Sequence, residues 1–240
     1  MANPQIIIDD FEENINNPIS LPEKLTKSDF YRDLSTICII ATRGVIPAKV
    51  LQNWWSLMVP MNQKFIRMFV SGMEVGAAYT HAIEQIIANP VLRSWKYILT
   101  LEEDNMPPPD GLLKLYEGME EFDVVGGLYW TKGDMGQPMI YGDPKMDEIN
   151  FIPQVPIPET IQETNGLGMG FNLYKLDIFR DPRVPRPYFR TVQEFSPYVG
   201  GRGYSQDLYF YENIKKLKYK VACDTRIKVG HYDLENDIVW

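Results

Sequence analysis

The sequence predicts an α/β fold in which a mostly parallel sheet carries helices on both faces. Three observations support this. Short apolar runs alternate with helix-like segments over the first 130 residues. The runs are continuously apolar, which is typical of strands buried on both faces. A chain of 240 residues with 45% hydrophobic residues is also long enough to form one large domain, or one and a half, with a full core.

The predicted strands of the first half are the apolar runs at 37–41, 65–70, 97–101 and 124–129. Helices are predicted between them. One begins near Pro47, which suits a first helical turn, and a second spans 75–88 before the Asn-Pro break. A third helix follows Asp110, a residue that can cap a helix.

The pattern changes after Trp130. Residues 131–165 are rich in Pro, Gly, Asp and Glu and predict a long loop, which in a compact domain is usually functional or mobile. A strand is predicted at 166–174, where it begins with glycines. An irregular stretch at 180–204 comes next, followed by a helix at 205–218 and two short strands at 220–223 and 227–229.

Composition and charge disfavour some classes of function and indicate where the protein is located. A net charge of −8 disfavours a general nucleic-acid binder, whose surface would be basic. Cys38 and Cys223 lie in apolar runs and are expected to be core thiols. No signal peptide and no membrane-length apolar segment is predicted, so a cytoplasmic location is expected. Residues 1–34 are expected to be a leader that wraps the domain or is partly disordered.

The strongest chemical signal lies where the strand at 97–101 ends. Glu102 and Asp104 are two residues apart, so in extended chain their carboxylates face the same side. Ligands bind at the carboxyl ends of strands in α/β sheets, and Mg²⁺ or Mn²⁺ is often held there by carboxylates and substrate phosphates. A solvated acidic turn is the alternative interpretation, and the local sequence favours neither.

Two further residues are candidates for chemistry. Asp207 opens the helix at 205–218 and could act as a general base, although an acid in a first helical turn is also explained by the helix dipole. His231 follows Gly230 at the end of the last predicted strand, where it could contact a metal or a phosphate. A purely structural, hydrogen-bonded histidine is the competing interpretation.

The glycines at 166–170 do not form a dinucleotide fingerprint, because they precede a strand instead of linking a strand to a helix. They are interpreted as a place where substrate approaches the backbone. Arginines at 180, 183, 186 and 190 could bind phosphates or stack on bases, but a solvated loop is weakly favoured.

The order of these motifs resembles the GT-A glycosyltransferases, most closely the family 2-like members. The resemblance covers residues 36–233. It rests on Thr42-Arg43-Gly44 after the first strand, the acid-x-acid of Glu102 and Asp104, the glycine-rich strand, Ser205-Gln206-Asp207 and the terminal His231. It implies a Rossmann-like three-layer sandwich with a mostly parallel central sheet. A single domain at 35–240 would have a donor-binding half at 35–130 and an acceptor-binding half at 131–240, with long loops on the acceptor side.

The resemblance also implies roles for individual residues. The donor, a nucleotide-diphosphate sugar with UDP favoured, would be bound by Thr42, Arg43, Gly44, Glu102 and Glu103. Mn²⁺ or Mg²⁺ would be held by Asp104 and His231, and Asp207 would deprotonate the acceptor hydroxyl. The acceptor would be bound by Trp130, Gly168, Met169 and Gly170. Its identity stays open between a glycan, a lipid-linked sugar, a protein and a modified nucleic-acid base.

Two departures from the family pattern bear on the nucleotide. The first acid is Glu102 where an Asp is commoner, and Tyr79 and His81 stand where many relatives have an Arg-Asn pair. Base catalysis by Asp207 suits an inverting displacement, but a retaining enzyme can carry an acid there too. Two other functions were weighed: a sugar-phosphate nucleotidyltransferase, disfavoured by the short Thr42–Gly44 turn, and a non-catalytic carbohydrate or partner-binding module.

Overall fold

The computed structural model of the protein describes residues 32–196 and 200–240, of which 193–196 and 200–204 are described by their backbone alone. Leu34–Trp240 form one compact unit. The predicted leader at 1–34 lies almost entirely outside the described residues, so it stays a prediction. No helix in the described part of the chain is both long and apolar enough to cross a membrane.

Fourteen strands are described: β1 (Thr36–Thr42), β2 (Phe65–Ser71), β3 (Tyr97–Leu101), β4 (Asn105–Met106), β5 (Val124–Leu128), β6 (Ile140–Tyr141), β7 (Ile161–Thr164), β8 (Gly166–Leu167), β9 (Phe171–Lys175), β10 (Val192–Ser196), β11 (Gly200–Tyr204), β12 (Val221–Lys228), β13 (Gly230–Asp233) and β14 (Ile238–Val239). The α-helices in the same ranges are α1 (Ala48–Trp55), α2 (Val75–Ala88), α3 (Gly111–Gly118), α4 (Asp177–Arg180) and α5 (Gln206–Lys216). A short 3₁₀ turn occupies Leu92–Ser94.

The central sheet has seven strands in the order β2-β1-β3-β9-β5-β12-β7. Strand β1 is parallel to both β2 and β3, and β12 is parallel to β5. Strand β9 is antiparallel to β3 and β5, and β7 is antiparallel to β12 at the edge. Five of the seven strands therefore point the same way, and only β9 and β7 run in the opposite direction. This confirms the predicted α/β fold with a mostly parallel sheet.

Helices cover both faces of this sheet, which gives the three layers that were predicted. On one face, α2 and α5 bury residues such as Ala78, Ile83 and Phe210. On the other face, α1 and α3 bury residues such as Trp54 and Leu112. Their apolar residues recur at helical spacing, so each helix presents one stripe to the sheet and keeps its polar side in water.

The structure differs from the sequence prediction at 166–174, where one strand was expected. The chain forms the short strand β8, is interrupted at Gly168–Gly170, and then enters the central sheet as β9. The break is supported by the Thr100 hydroxyl, which donates a hydrogen bond to the Met169 carbonyl at 2.8 Å. A continuous apolar run fits a buried strand in either direction, so the sequence pattern did not reveal the reversal.

Two smaller differences lie towards the C-terminus. The strands expected at 220–223 and 227–229 are a single strand, β12, whose pairing with β5 shifts register between Asp224 and Lys228. The stretch expected to be irregular at 180–204 ends in the antiparallel hairpin of β10 and β11. The long loop predicted at 131–165 contains the short strand β6 and, at its end, the whole of strand β7.

Candidate active site

A cavity of about 470 Å³ opens where β1 and β3 end, at the carboxyl edge of the sheet. This is where ligands bind in open α/β sheets. Its walls come from the turn after β1, the N-terminus of α2 and the acidic turn after β3. The lining residues are Ala41, Thr42, Arg43, Met73, Glu74, Val75, Glu102, Glu103, Asp104 and Lys132. Five of the predicted site residues are therefore brought together here.

Glu103 holds the turn after β1 in place. One of its carboxylate oxygens accepts hydrogen bonds from the Thr42 hydroxyl at 2.7 Å and from the Arg43 backbone N–H at 2.8 Å. Its other oxygen is paired with the Arg43 guanidinium. The Thr42 hydroxyl also accepts a bond from the Gly44 N–H at 3.0 Å. The carboxylate of Glu103 is thus fully engaged in shaping the cavity wall.

Asp104 lies at the centre of a cluster of charged side chains. Its Oδ2 is 2.6 Å from Lys132 Nζ and 3.3 Å from His231 Nε2. The backbone reinforces this junction, because the Tyr232 N–H donates to the Asp104 carbonyl at 2.7 Å. The predicted partnership of Asp104 and His231 is therefore present in the fold, across 126 intervening residues, as their numbers in the sequence show.

His231 is oriented by a second hydrogen bond. Its Nδ1 is 2.7 Å from the Trp130 carbonyl, and a carbonyl can only accept, so Nδ1 carries a proton. Nε2 faces the Asp104 carboxylate at 3.3 Å and is the ring nitrogen left to contact that residue or a metal. Anchoring one ring nitrogen of a histidine on a carbonyl is the usual way in which proteins fix a metal-ligating imidazole.

The carboxyl groups of Glu102 and Asp104, at the end of β3, have pKa values shifted in opposite directions. Burial opposes ionisation of Asp104, but the hydrogen bonds from His231 and Lys132 outweigh it and lower the pKa of Asp104 to about 2. Burial, followed by the negative charges of Asp104 and Asp207, raises the pKa of Glu102 to about 8. Asp104 is therefore an anion at neutral pH, whereas Glu102 is largely protonated.

A metal was expected here, and the donor set fits one in part. Within residues 32–196 and 200–240, no three His, Cys, Asp or Glu side chains are grouped closely enough to hold a metal alone. Asp104 and His231 could supply two ligands, and Mg²⁺-type ions usually complete their shell with water and substrate phosphates. The Lys132 ammonium, which contacts the same carboxylate oxygen, would have to move away.

Asp207 is placed apart from the cavity. It is buried in the first turn of α5, and its Oδ1 accepts the Leu208 N–H at 2.9 Å. Burial raises the pKa of Asp207, and a raised pKa makes its carboxylate a stronger base. Its charge is close enough to Glu102 to raise the pKa of that residue. Asp207 thus belongs to the same electrostatic cluster without lining the cavity.

The residues expected to bind the acceptor fall into two groups. Gly168, Met169 and Gly170 are buried, and Gly170 uses its backbone to support the site. Its carbonyl accepts the Glu102 N–H at 3.1 Å, and its N–H donates to the Tyr129 hydroxyl at 3.0 Å. Trp130, in contrast, is exposed at the carboxyl end of β5.

Lys132 was missed by the sequence analysis. It lies in the loop after β5, two residues beyond Trp130, and its side chain reaches the acidic turn after β3. The available signal was a cation just beyond the end of β5, but its contact with Asp104 spans 28 positions, across α3 and β5.

Three of the four arginines at 180–190 have local partners. Arg180 pairs with Asp177 at 2.5 Å, and Arg183 pairs with Asp181 at 2.6 Å. The Arg186 guanidinium lies over the Tyr188 ring, 5.5 Å from its centroid. These contacts agree with the solvated-loop interpretation of the segment.

The sequence matches no known protein family and no curated protein. Among solved structures, A197 from STIV is similar over 85% of this chain and 92% of its own, with a TM-score of 0.57 and 17% identity. The fold is GT-A-like. TarS from S. aureus, crystallised with UDP-GlcNAc, has a TM-score of 0.46 and 11% identity, over 81% of this chain and 58% of that one. A 4-diphosphocytidyl-2C-methyl-D-erythritol synthase from Anaerococcus prevotii has a TM-score of 0.34 and 9% identity, over 60% and 71%. The last two similarities are too weak to bear on function.

Proposed function

We propose that the protein is a glycosyltransferase that moves a sugar from a nucleotide diphosphate, favoured as UDP, to an acceptor hydroxyl with Mn²⁺ or Mg²⁺ as cofactor. The observation that supports this best is the Asp104, Lys132 and His231 cluster at the mouth of the cavity. It combines an anion that can hold a cation with an ammonium that can hold a diphosphate, at the carboxyl edge of a GT-A-like sheet.

The chain's own residues would divide the work of binding. The turn at Thr42–Gly44, held by Glu103, would form one wall of the nucleotide site. Lys132 would contact the diphosphate oxygens. An ammonium there neutralises the negative charge that grows on the diphosphate as its bond to the sugar breaks. The divalent cation, held by Asp104 and His231, would supply Lewis-acid stabilisation of the leaving diphosphate.

Asp207 would accept the proton of the acceptor hydroxyl. Its burial raises its pKa, so the carboxylate has more drive to take a proton than an exposed aspartate. A base on the acceptor side corresponds to a single displacement with inversion at the sugar carbon. A cytoplasmic location, which suits the free, buried thiols of Cys38 and Cys223, is part of the same proposal.

The experiment is a thermal-shift screen with UDP, UDP-GlcNAc and other nucleotide sugars, with and without Mn²⁺. Binding to the folded state alone raises the melting temperature by mass action. We expect a donor-specific rise that needs Mn²⁺ and that is lost in Asp104→Asn. The matched control is Asp177→Asn, an exposed aspartate whose side chain is 80% exposed, and it should behave like wild type.

Absence of stabilisation by every donor, or an undiminished Mn²⁺-dependent rise in Asp104→Asn, would refute the proposal. A positive binding result should be followed by product analysis with an acceptor panel. There Asp207→Asn is expected to abolish transfer while leaving donor binding within about twofold, because the base acts only on the acceptor side. Equal loss of binding and transfer in Asp207→Asn would contradict the role given to Asp207.

A further inference from the structure

A second cavity, of about 610 Å³, opens beside the candidate active site at the same edge of the sheet. It lies where the neighbouring parallel strands β5 and β12 end. We call it the tryptophan cavity after the two tryptophans in its wall. It is lined by Leu128, Trp130, Val155, Pro156, Pro158, Thr225, Lys228, Val229, Gly230 and Trp240.

The wall of the tryptophan cavity is mainly apolar, and part of it is open to water. Trp130 is 41% exposed and Val155 is 84% exposed. The lining holds one ionisable side chain, Lys228, which lies 3.6 Å from Glu159 in a surface ion pair. A concave site with aromatic walls and few polar groups is typical of binding sites for ligands with an apolar part.

Both tryptophans are tied to the active-site histidine. The Trp130 carbonyl accepts the hydrogen bond of His231 Nδ1 at 2.7 Å. The backbone of Trp240 exchanges two hydrogen bonds with that of His231, each 3.0 Å long. Gly230, in the cavity wall, is the residue before His231. The cavity is therefore built by the residues that position His231.

The segment 130–132 separates the tryptophan cavity from the cavity of the candidate active site, which we call the donor cavity. Trp130 lines the first, and Lys132 lines the second, where it contacts Asp104. A molecule in the tryptophan cavity would thus lie across one short segment from the proposed diphosphate site. Such a position suits the second substrate of a transfer reaction.

We propose that the tryptophan cavity binds the apolar part of the acceptor, so that the acceptor is an amphiphile with a hydroxyl-bearing head and an alkyl or aryl group. This inference rests on the proposed function and deepens it. The apolar group would pack on the face of Trp130 and against Val155 and the neighbouring prolines, and it would displace water from surface that is exposed in the free protein.

The experiment measures binding of methyl, hexyl and phenyl glucosides to the full chain by ligand-observed NMR, at concentrations at which none forms micelles. Burying one methylene strengthens binding about fourfold. We therefore expect the hexyl or the phenyl glucoside to bind at least tenfold more tightly than methyl glucoside. Preference for hexyl would indicate a lipid-like acceptor, and preference for phenyl an aromatic one.

Trp130→Ala should remove this preference, so that all three glucosides bind alike. The matched control is Trp55→Ala on α1, because Trp55 is 78% exposed and lines neither cavity. Val155→Asp is a second test that does not depend on a tryptophan. It places a charge on an exposed position of the wall and should weaken hexyl binding at least tenfold without unfolding the chain.

Equal binding of the three glucosides by the wild type would overturn the inference, as would equal losses in Trp130→Ala and Trp55→Ala. Failure of the proposed function gives a different result. In that case the nucleotide sugars do not stabilise the protein, whereas the preference for an apolar group and its dependence on Trp130 remain.

Discussion

Replacing Glu102 by Gln should stabilise the protein and flatten the pH dependence of its stability. In the folded chain, burial and the nearby charges of Asp104 and Asp207 raise the pKa of Glu102 from 4.5 to about 8. The folded state therefore binds this proton more tightly than the unfolded state does. The resulting contribution to stability is complete below pH 4.5 and is lost as the pH rises to about 8.

The size of the effect follows from the shift. Between low pH and pH 7, ionisation of Glu102 in the unfolded chain costs the folded state up to about 3 kcal/mol, and at pH 5 the cost is under about 1 kcal/mol. Glutamine has a similar shape and never ionises. Glu102→Gln should therefore gain up to about 3 kcal/mol over wild type at pH 7 and little at pH 5.

The assay is urea denaturation between pH 5 and pH 8, in EDTA and without nucleotide, with the free energy of unfolding extrapolated to water. Glu121→Gln, which changes an exposed glutamate, is the control and should follow the wild-type curve. The same pH slope in wild type and Glu102→Gln would refute the reasoning, because it would show that Glu102 is already ionised in the folded protein at pH 7.

Of three further predictions, two concern the walls of the donor cavity and the third concerns Gly170, whose backbone supports the acidic turn. Lys132→Met should weaken UDP binding about tenfold to a hundredfold in calorimetry, because it removes one charge-assisted hydrogen bond, and it should leave uridine binding unchanged. Equal losses for both ligands would contradict the role of Lys132 at the diphosphate. Glu103→Gln should release the Thr42–Gly44 turn and weaken uridine as well as UDP, a pattern in calorimetry that separates it from Lys132→Met. Gly170→Ala should destabilise the protein by about 1–3 kcal/mol in thermal denaturation, because the new alanine Cβ would lie 2.7 Å from the buried amide of Asn105. An unchanged melting temperature would contradict this packing.

The layered α/β architecture could be predicted because its strands are buried on both faces and their apolar runs are unambiguous. The architecture depends on hydrophobic patterning, which the local sequence expresses. The partnership of Asp104 with His231 was implied only by the resemblance to the GT-A glycosyltransferases, and the fold brings the two side chains together.

Other parts of the site depend on contacts that no local pattern expresses. Donor binding by Glu103 stays a prediction, whereas its contacts with Thr42 and Arg43, about 60 positions away, could not be predicted. Lys132 extends from a loop whose course is set by the whole fold. The glycines at 168–170 were interpreted as a place where substrate approaches the backbone, and in the fold they are buried just before β9, which passes between β3 and β5.

The pairing of β13 with β4 has a consequence for how the protein folds. His231 lies opposite Asn105 in this pair, so the acidic turn acquires its histidine only when the last strands dock. Contacts between segments so distant in the chain form slowly, because a long loop must close before they contribute. Much of the sheet can pair before β13 arrives. Refolding followed by tryptophan fluorescence should therefore precede recovery of nucleotide binding, and ligand recognition would be the last property that the chain acquires.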